Sequence, residues 1–264
     1  MKRKIIIIGK KSFLAFYIKK HLNNKLKILL ISFKNFIKLD SSQLEKYDYI
    51  CNCSISKNYQ NKKYKLNNDI DIKIVNKIKD LKIKYIFLSS RKVYKPKKNL
   101  SESSKLEPID NYAKNKLITE NKIQLLLKKR SLILRISNII GKPIKNPNKV
   151  TKNFIDNYID YKKKNKNIEY IDCFKDFLSI KQFTTIFLNI VNNDLNGIFN
   201  VSLGEKIFIS EILSWLNRYN DKIFKPTYKL EDNNSFYLNN KKLIKKINIR
   251  VKKADLKKYC LNFN

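Results

Sequence analysis

The sequence predicts an α/β protein built on a doubly wound parallel sheet, with a smaller mixed subdomain at its C-terminal end. Three observations support this fold class: short apolar runs alternate with longer amphipathic segments in the first half, a glycine follows the first apolar run, and the alternation loosens beyond residue 141. Such alternation is typical of βαβ units, in which a helix crosses over between parallel strands. With 264 residues, 43% of them hydrophobic, the chain can bury a sizeable core.

The first half contains five predicted strands separated by amphipathic helices. The predicted strands are Lys4–Ile8, Leu26–Phe33, Tyr47–Cys53, Lys84–Leu88 and Leu132–Ile136. The predicted helices are Ser12–Leu22, Ile70–Leu81 and Tyr112–Lys129. Apolar residues recur at helical spacing in each of these helices. The opening strand, helix and second strand therefore predict a βαβ unit, and the later elements continue the same rhythm.

The segment Gly141–Pro147 contains two prolines and is the best candidate for a domain boundary. We therefore expect one domain over residues 1–145 and a smaller mixed subdomain over residues 146–264, with late strands returning to the core. The predicted elements of the second part are helices at Val150–Tyr161, Phe183–Val191 and Ile209–Leu216, a short segment at Cys173–Ile180, a strand at Ile198–Val201 and a mixed tail at Leu238–Leu261.

The composition excludes several classes of protein. No apolar run reaches the roughly 18–20 residues of a membrane-spanning helix, and Lys10 and Lys11 interrupt the apolar segment near the amino end before it reaches signal-peptide length. We therefore expect a cytoplasmic protein with no membrane partner. The four cysteines lack the Cys-x-x-Cys spacing of zinc sites, and His21 is the one histidine. Hence we expect no disulfide framework, no metal site and no Ser-His-Asp triad.

The formal net charge of +36 allows two interpretations. A basic surface could bind nucleic acid, because phosphates attract lysine and arginine. The lysines, however, are spread along the whole chain, and only six of the 58 basic residues are arginines, which base-reading and phosphate-binding sites prefer. This distribution favours solvated lysine-rich faces over a nucleic-acid partner, which stays open as an alternative.

The turn after the first predicted strand has features of a dinucleotide site. A Rossmann fold binds pyrophosphate at this point, where it needs a tight turn, a bare backbone and the amino terminus of a helix. Gly9 supplies the turn, Ser12 and Ala15 follow at three-residue spacing, and Phe13 opens the helix. Because Ser12 and Ala15 carry a Cβ that glycine lacks, an ordinary strand-to-helix turn explains the pattern equally well.

Three residues farther along the chain form a candidate proton-transfer site. Ser90 follows the fourth predicted strand, and Tyr112 and Lys116 lie four residues apart on one face of a predicted helix. A lysine ammonium beside a phenol stabilises the phenolate, so that the tyrosine can donate and accept a proton. A serine hydroxyl nearby can hydrogen-bond a reacting carbonyl or alkoxide. The trio therefore predicts interconversion of an alcohol and a ketone.

The segments around this trio resemble a known family. They are Phe87–Tyr94, Glu102, Pro108, Tyr112–Lys116 and Glu120, joined in family order by Tyr47–Ser54, Leu134–Gly141, Lys175–Ile180 and Gly197–Glu205. Together they resemble the extended short-chain dehydrogenase/reductases of the NAD-dependent epimerase/dehydratase family, whose typical members act on nucleotide sugars. The resemblance covers nearly the whole chain. It implies a Rossmann-type domain with a smaller C-terminal substrate-binding subdomain.

The resemblance also implies roles for individual residues. Tyr112 would be the acid/base, Lys116 its electrostatic partner and a ribose contact, and Ser90 a contact of the substrate hydroxyl. The residues implied to bind an NADP or NAD cofactor are Gly9, Ser12, Phe13, Ala15, Ser32, Lys34, Cys53, Ser54, Tyr112 and Lys116. Asn138 and the region 153–161 are implied substrate contacts. A homodimer through the predicted helices Tyr112–Lys129 and Ile70–Leu81 is implied as well, although their outer faces are rich in lysine.

The chain departs from the family pattern at three places. The phosphate turn has lost two of its three usual glycines. The second strand ends near Ser32 and Lys34 without the acidic residue that hydrogen-bonds an NAD ribose, which favours NADP slightly. Arg91 and Lys92 follow Ser90 where the family's 4,6-dehydratases have an Asp-Glu pair, so dehydration is disfavoured.

We therefore predict an NAD(P)-dependent enzyme that transfers hydride at a sugar hydroxyl or keto carbon, usually C4 in this family, of a nucleoside-diphosphate sugar. A ketoreductase is slightly favoured over a 4-epimerase, because the chain is short for the family and NADP suits net reduction. The alternative is a catalytically inactive module of the same fold that senses nucleotides or binds RNA, which the incomplete glycine turn and the +36 charge would fit. The complete trio argues against that alternative.

Overall fold

The structure is a computed structural model and describes residues 2–144, 154–163, 168–218, 224–229 and 235–263. It confirms the predicted fold class. The strands are β1 (Lys4–Ile8), β2 (Lys27–Ile31), β3 (Tyr49–Asn52), β4 (Lys84–Ser90), β5 (Ser131–Ile136), β6 (Asn138–Ile140), β7 (Ile168–Asp172), β8 (Phe174–Lys175), β9 (Phe177–Ser179), β10 (Gly197–Val201), β11 (Ile207–Phe208) and β12 (Phe224–Lys229). The helices are α1 (Phe13–Leu22), α2 (Phe33–Ile37), α3 (Ser41–Leu44), α4 (Lys57–Asn61), α5 (Ile70–Ile78), α6 (Asn111–Leu127), α7 (Phe154–Lys163), α8 (Ile180–Asn192), α9 (Ile209–Leu216), α10 (Lys241–Ile247) and α11 (Lys253–Leu261). None of the described helices combines the length and hydropathy that crossing a bilayer requires.

The central sheet has six strands in the order β10-β5-β4-β3-β1-β2. Each neighbouring pair among β1 to β5 is parallel, and Ile5 of β1, for example, lies opposite Ile28 of β2 and Tyr49 of β3. The order reverses at β1, because β2 lies on one side of it and β3 on the other. In open α/β sheets, ligands bind at the carboxyl ends of the strands beside such a reversal.

Both faces of the sheet are buried. One face belongs to a single apolar cluster with α5 and α6, whose members include Ile6, Ile8, Ile50, Phe87, Ile74, Val75, Ile78, Ile123 and Leu127. Ile5 and Ile7, which alternate with Ile6 and Ile8, are also fully buried and point to the other face. Burial on both faces explains why β1 is a continuous apolar run rather than an alternating one.

The predicted strands and long helices are present, with ends that differ by a few residues. β2 ends at Ile31 rather than Phe33, because Oγ of Ser32 accepts the N–H of Asn35 and starts α2. Sequence periodicity does not predict α2, α3 and α4, which contain only four or five residues each. Helices this short contain too few apolar positions for a helical period to be recognised.

The chain divides into two compact units. Unit 1 comprises Met1–Lys95, Lys105–Ile136 and Thr184–Phe199, and unit 2 comprises Pro96–Ser104, Ser137–Phe183 and Asn200–Asn264. The predicted boundary at residues 145 and 146 lies outside the described residues and stays a prediction. The last segment of unit 1 is tied to the sheet by Asp194, which accepts a hydrogen bond from Tyr49 and pairs with Lys84 at 2.9 Å between Nζ and Oδ2.

Unit 2 contains, in its described part, three two-stranded pairings: β6 with β9, β7 with β12 and β8 with β11. The fully buried Asp176 joins separate segments of this unit. Its carboxylate accepts the backbone N–H of Leu203 (2.8 Å), Gly204 (3.1 Å) and Leu238 (3.2 Å). Burial raises the pKa of Asp176 to about 7, although these N–H groups act to lower it.

Candidate active site

The predicted residues of unit 1 gather at one edge of its sheet. Gly9 follows β1, Cys53 and Ser54 follow β3, and Ser90 ends β4. Parallel strands have their carboxyl ends at the same edge, so these residues lie on neighbouring strand ends beside the point where the strand order reverses. This edge is therefore the candidate site.

Gly9 occupies a position that other residues could adopt only with strain. Its φ is +114°, and a Cβ built on it would lie 3.0 Å from the backbone N of Ser54 and 3.1 Å from the carbonyl carbon of Cys53. The turn is held by the N–H of Gly9, which donates to the Ile31 carbonyl (2.9 Å), and by the N–H of Ser12, which donates to the Gly9 carbonyl (2.7 Å). Gly9, the one glycine that remains of the three in the family's phosphate turn, thus lies where the backbone conformation favours glycine.

Helix α1 begins directly after this turn. Ser12 is its N-cap, and the Ser12 side chain makes no capping hydrogen bond. The first turn contains no acidic residue, and Ala15 is fully buried. The amino terminus of this helix therefore offers backbone N–H groups and a positive dipole end to a phosphate. Together with Gly9, these features fit the pyrophosphate of a dinucleotide.

The end of β2 carries the residues predicted to distinguish NADP from NAD. Oγ of Ser32 accepts the N–H of Asn35 at 3.2 Å, and Lys34 is exposed on α2. An acidic residue at this strand end would hydrogen-bond the ribose hydroxyls of NAD. The chain has a hydroxyl and an ammonium there instead.

A buried polar network that the sequence does not predict lies beside the turn. Oδ1 of Asn52 accepts the N–H (2.9 Å) and the hydroxyl (2.6 Å) of Ser54, and Nδ2 of Asn52 donates to Asp71 at 3.0 Å. The hydroxyl of Tyr85 also donates to Asp71, at 2.6 Å. Burial raises the pKa of Asp71, and the charge of Lys116 opposes that rise. The one feature of the sequence that could have indicated this network is the presence of polar residues inside apolar segments. Polar groups buried there need hydrogen-bond partners.

Tyr112 and Lys116 lie in the first turns of α6. Asp110 caps this helix by accepting the N–H of Ala113 at 2.8 Å. Lys116 is only 6% exposed, and its Nζ donates to the Leu88 carbonyl at 2.9 Å and lies 5.9 Å from the centroid of the Tyr112 ring. The helix therefore places the ammonium beside the tyrosine and links it to β4, the strand that ends at Ser90.

A short 3₁₀ turn, Arg91–Val93, follows Ser90 and approaches Tyr112 through the side chain of Lys92. The backbone N–H of Lys92 donates to Oγ of Ser90 at 3.2 Å, and Nζ of Lys92 pairs with Oδ2 of Asp110 at 2.7 Å. The same Nζ lies 5.9 Å from the centroid of the Tyr112 ring. Because Oγ of Ser90 accepts a hydrogen bond in this turn, its own proton can be donated to a ligand.

A buried ion pair joins α6 to β5. Nη2 of Arg135 lies 2.7 Å from Oε2 of Glu120. Ser89, the neighbour of Ser90 on β4, donates to Glu120, and Nη1 of Arg135 donates to the hydroxyl of Tyr94 at 2.8 Å. The network connects the helix of Tyr112 to the strand of Ser90. Glu120 and Arg135 belong to the family-like segments of the sequence, but their spacing alone predicts no partnership between them.

The predicted substrate contacts lie in unit 2. Nδ2 of Asn138, in β6, donates to the backbone carbonyl of Asp176 at 3.0 Å. Most of the region 153–161 lies in α7, where the hydroxyl of Tyr158 donates to the Leu216 carbonyl at 3.1 Å, and Asn153 falls outside the described residues. A role of these residues in substrate binding stays a prediction.

The structure thus links Ser90, Tyr112 and Lys116 through β4, the 3₁₀ turn and α6, and places the Gly9 turn at the same sheet edge. Across the described ranges, no three His, Cys, Asp or Glu side chains converge as ligands for a metal ion. What the arrangement offers chemically is a glycine turn that leads into the amino terminus of a helix, a hydroxyl donor, and a phenol with an ammonium beside it.

The chain is similar to known proteins in family pattern and in fold. The model of the NAD dependent epimerase/dehydratase family matches residues 15–202. The chain is similar in fold to a UDP-N-acetylglucosamine 4-epimerase from Methanobrevibacter ruminantium M1 in complex with UDP-N-acetylmuramic acid (20% identity, 100% of this chain and 97% of that chain, TM-score 0.77). It is similar to a UDP-glucuronic acid 4-epimerase from Bacillus cereus in complex with NAD (16% identity, 98% and 96%, TM-score 0.75). It is also similar to a dTDP-glucose 4,6-dehydratase from Bacillus anthracis str. Ames in complex with NAD (14% identity, 99% and 95%, TM-score 0.75). A search of curated protein sequences found no significant match.

Proposed function

We propose that this chain, which belongs to the NAD-dependent epimerase/dehydratase family, transfers hydride at a sugar carbon of a nucleoside-diphosphate sugar. The observation that carries the proposal is that the ammonium of Lys116 and the ammonium of Lys92, which lies in the turn after Ser90, are each 5.9 Å from the centroid of the Tyr112 ring, in the unit whose sheet edge contains Gly9. A phenol, an ammonium and a hydroxyl are the groups that interconversion of an alcohol and a ketone requires.

The residues that would hold the cofactor belong to the Gly9 turn and its neighbours. Gly9 and the amino terminus of α1 would bind the pyrophosphate, and Cys53, Ser54 and Lys116 would contact the ribose side. A bound nicotinamide supplies the hydride chemistry, for which no side chain is a substitute. The close approach of Gly9 to Ser54 supports this site, because a Cβ at Gly9 would press against the backbone of Cys53 and Ser54 and displace the turn.

Tyr112 moves the proton in this proposal. Its phenolate takes the proton from a sugar hydroxyl during oxidation, and the resulting phenol returns the proton to the oxygen during reduction. The positive charge of Lys116 stabilises the phenolate that exists before the first step and after the second. Ser90 donates a hydrogen bond to the same sugar oxygen, since its Oγ already accepts the N–H of Lys92. The hydrogen bond from Lys116 to the Leu88 carbonyl keeps the ammonium in position.

The position of reaction is C4, as in the proteins named above as 4-epimerases. A ketoreductase would release the sugar after one hydride transfer. A 4-epimerase would let the keto sugar turn and take the hydride back on its other face. The hydroxyl of Ser32 and the ammonium of Lys34 favour NADP and with it net reduction, and the names of the similar structures favour the epimerase. Dehydration is not proposed, because Arg91 and Lys92 supply cations at the position where water removal needs acidic groups.

The cofactor is a nicotinamide dinucleotide. NAD is supported by the two similar structures that contain it. NADP is supported by Ser32 and Lys34, which bring a hydroxyl and an ammonium rather than a carboxylate to the end of β2. Titration of the protein with NADH and with NADPH, followed by nicotinamide fluorescence, decides between them.

The experiment for the reaction incubates the protein and either oxidised dinucleotide with UDP-glucose, UDP-N-acetylglucosamine and dTDP-glucose, and analyses the sugars by NMR. A 4-epimer without net change in dinucleotide identifies the epimerase. Oxidation of NADPH or NADH by a 4-keto sugar nucleotide identifies the reductase. Tyr112→Phe should abolish either product. Failure of all dinucleotides to bind would instead support the inactive nucleotide-sensing or RNA-binding module.

A further inference from the structure

We propose that Lys92 makes this site select a sugar that carries an anionic substituent, such as the carboxylate of a hexuronate. The inference rests on the proposed function and adds the chemical class of the sugar. It starts from the finding that two ammonium groups flank Tyr112: Nζ of Lys116 and Nζ of Lys92 each lie 5.9 Å from the centroid of its ring. Proton transfer by the tyrosine needs only one of them.

The two ammonium groups differ in their access to solvent. Lys116 is 6% exposed, and its Nζ donates to the Leu88 carbonyl and lies 4.4 Å from the centroid of the Phe87 ring. The side chain of Lys92 is 45% exposed. A ligand that arrives from solvent can therefore reach the ammonium of Lys92, whereas protein groups enclose that of Lys116.

Lys92 is anchored at both of its ends. Its backbone N–H donates to Oγ of Ser90, and its Nζ pairs with Asp110, whose other oxygen caps α6 at the N–H of Ala113. The ammonium consequently has a defined position near the Tyr112 ring, on the residue whose backbone holds the Ser90 hydroxyl. A mobile surface lysine would lose more rotamer entropy on binding a ligand.

The charge around this turn favours an anion. Partial burial acts to raise the pKa of Asp110, but the hydrogen bonds from Lys92 and from the N–H of Ala113 bring it below its usual value, so Asp110 is ionised at neutral pH. Asp110 thus supplies one negative charge against the two positive charges of Arg91 and Lys92. Of the three N–H donors on the Lys92 ammonium, Asp110 takes one.

A carboxylate on the sugar would use a remaining donor of Lys92. Hydrogen bonds between ionised partners are roughly twice as strong as those between neutral ones. A neutral hexose offers the same ammonium a hydroxyl group alone. We therefore expect a preference of about tenfold or more for the acidic sugar, which corresponds to the strength of one partly exposed charged hydrogen bond.

The test compares UDP-glucuronic acid with UDP-glucose, which differ in the group at C6. Calorimetry measures the binding of each to the dinucleotide-saturated wild type, K92Q, K92R and K95Q. Lys95 is the matched control, because it lies three residues farther along, is 65% exposed and pairs with Glu107 at 3.3 Å, as Lys92 pairs with Asp110. The wild type, K92R and K95Q should prefer the acidic sugar, and K92Q should bind both with similar affinity.

The outcomes separate this inference from the proposed function. If the wild type binds UDP-glucose as tightly as the acidic sugar, or if K92Q keeps the preference, the assignment of Lys92 is wrong and the proposed function stands. If neither sugar nucleotide binds, the measurement is repeated with the thymidine diphosphate derivatives of glucuronic acid and glucose. Lack of binding by that pair too, while the dinucleotide remains bound, overturns both proposals.

Discussion

Arg135 of β5 and Glu120 of α6 form an ion pair in which Nη2 lies 2.7 Å from Oε2 and Nε lies 3.2 Å from each carboxylate oxygen. The side chains are 2% and 1% exposed. Because Ser89 also donates to Glu120, the pair connects α6 with two neighbouring strands. The buried charge pair therefore helps to fix the helix that carries Tyr112 against the strand that ends at Ser90.

Removing one partner of this pair should cost much more than removing a surface pair. E120Q and R135M each leave a buried group without its counter-charge, and we expect losses of about 3–5 kcal/mol in the free energy of unfolding by urea. E107Q, which breaks the exposed pairs of Glu107 with Lys95 and Lys105, should cost about 0–1 kcal/mol. Equal losses in the buried and exposed variants would contradict the structural role of the pair.

Tyr112→Phe should separate catalysis from cofactor binding. The substitution removes the hydroxyl and keeps the ring beside Lys116. We expect the rate of sugar turnover to fall by about 10²–10⁴, with dinucleotide affinity unchanged in fluorescence titrations. Lys116→Met should weaken both, since it removes the proposed ribose contact along with the charge. A Tyr112→Phe variant as active as the wild type would eliminate the phenol as the proton carrier.

Alanine substitutions at two glycines can separate the effect of a steric contact at the Cβ position from the effect of backbone strain. Gly9 has φ +114° and would place a Cβ 3.0 Å from Ser54 N, whereas Gly197 has φ +96° and no atom within 4 Å of a Cβ. Gly197→Ala should lose only the strain energy, about 1 kcal/mol. Gly9→Ala should lose more stability and bind dinucleotide more weakly, as fluorescence titration and urea unfolding can measure. Similar effects at both sites would argue against a specific fit at the phosphate turn.

The pKa of Asp176, raised to about 7 by burial, makes the stability of unit 2 depend on pH. A carboxyl with a raised pKa in the folded state contributes stability that is complete below its unfolded pKa, about 3.9, and is lost as pH rises through 7. The free energy of unfolding of the wild type relative to D176N should therefore fall from pH 4 to 8, by up to about 4 kcal/mol.

Trp215 provides the measurement for this prediction. It is the single tryptophan, lies in α9 of unit 2 and is 6% exposed, so its fluorescence reports the unfolding of that unit. D176N cannot ionise, and its unfolding curve serves as the baseline even if the variant is less stable. A difference between the two proteins that grows with pH, rather than shrinking, would mean that Asp176 is already ionised in the folded protein.

The sequence predicts the elements that contain a long apolar run or residues repeated at helical spacing. β1 is an apolar run followed by a glycine, and α6 carries Tyr112 and Lys116 four residues apart, so the elements and the positions of these candidate residues on them could be predicted. The fold class follows from the alternation of such elements. The same reasoning cannot find contacts between residues far apart in the chain, such as Asn52 with Asp71 or Glu120 with Arg135, because periodicity describes only neighbours within one element.

Lys92 illustrates the same limit within the site. Its position two residues after Ser90 is evident from the sequence, and so is the absence of the Asp-Glu pair that the family's 4,6-dehydratases have there. Its ion pair with Asp110 and its distance to Tyr112 depend on how the 3₁₀ turn meets the start of α6. In a chain with 58 basic residues, composition does not mark one lysine as different from the others.

The sheet of unit 1 is completed late in the chain. Its edge strand β10 lies beside β5, although the segment Ser137–Phe183 of unit 2 comes between them in sequence, and Asp194 arrives on the same late segment to pair with Lys84. During synthesis, β5 therefore leaves the ribosome well before its neighbour exists, and its outer backbone groups form an open edge that other strands could join. The interval in which a nascent chain is exposed to aggregation is consequently set by the time needed to translate the intervening segment, not by the stability of the finished fold.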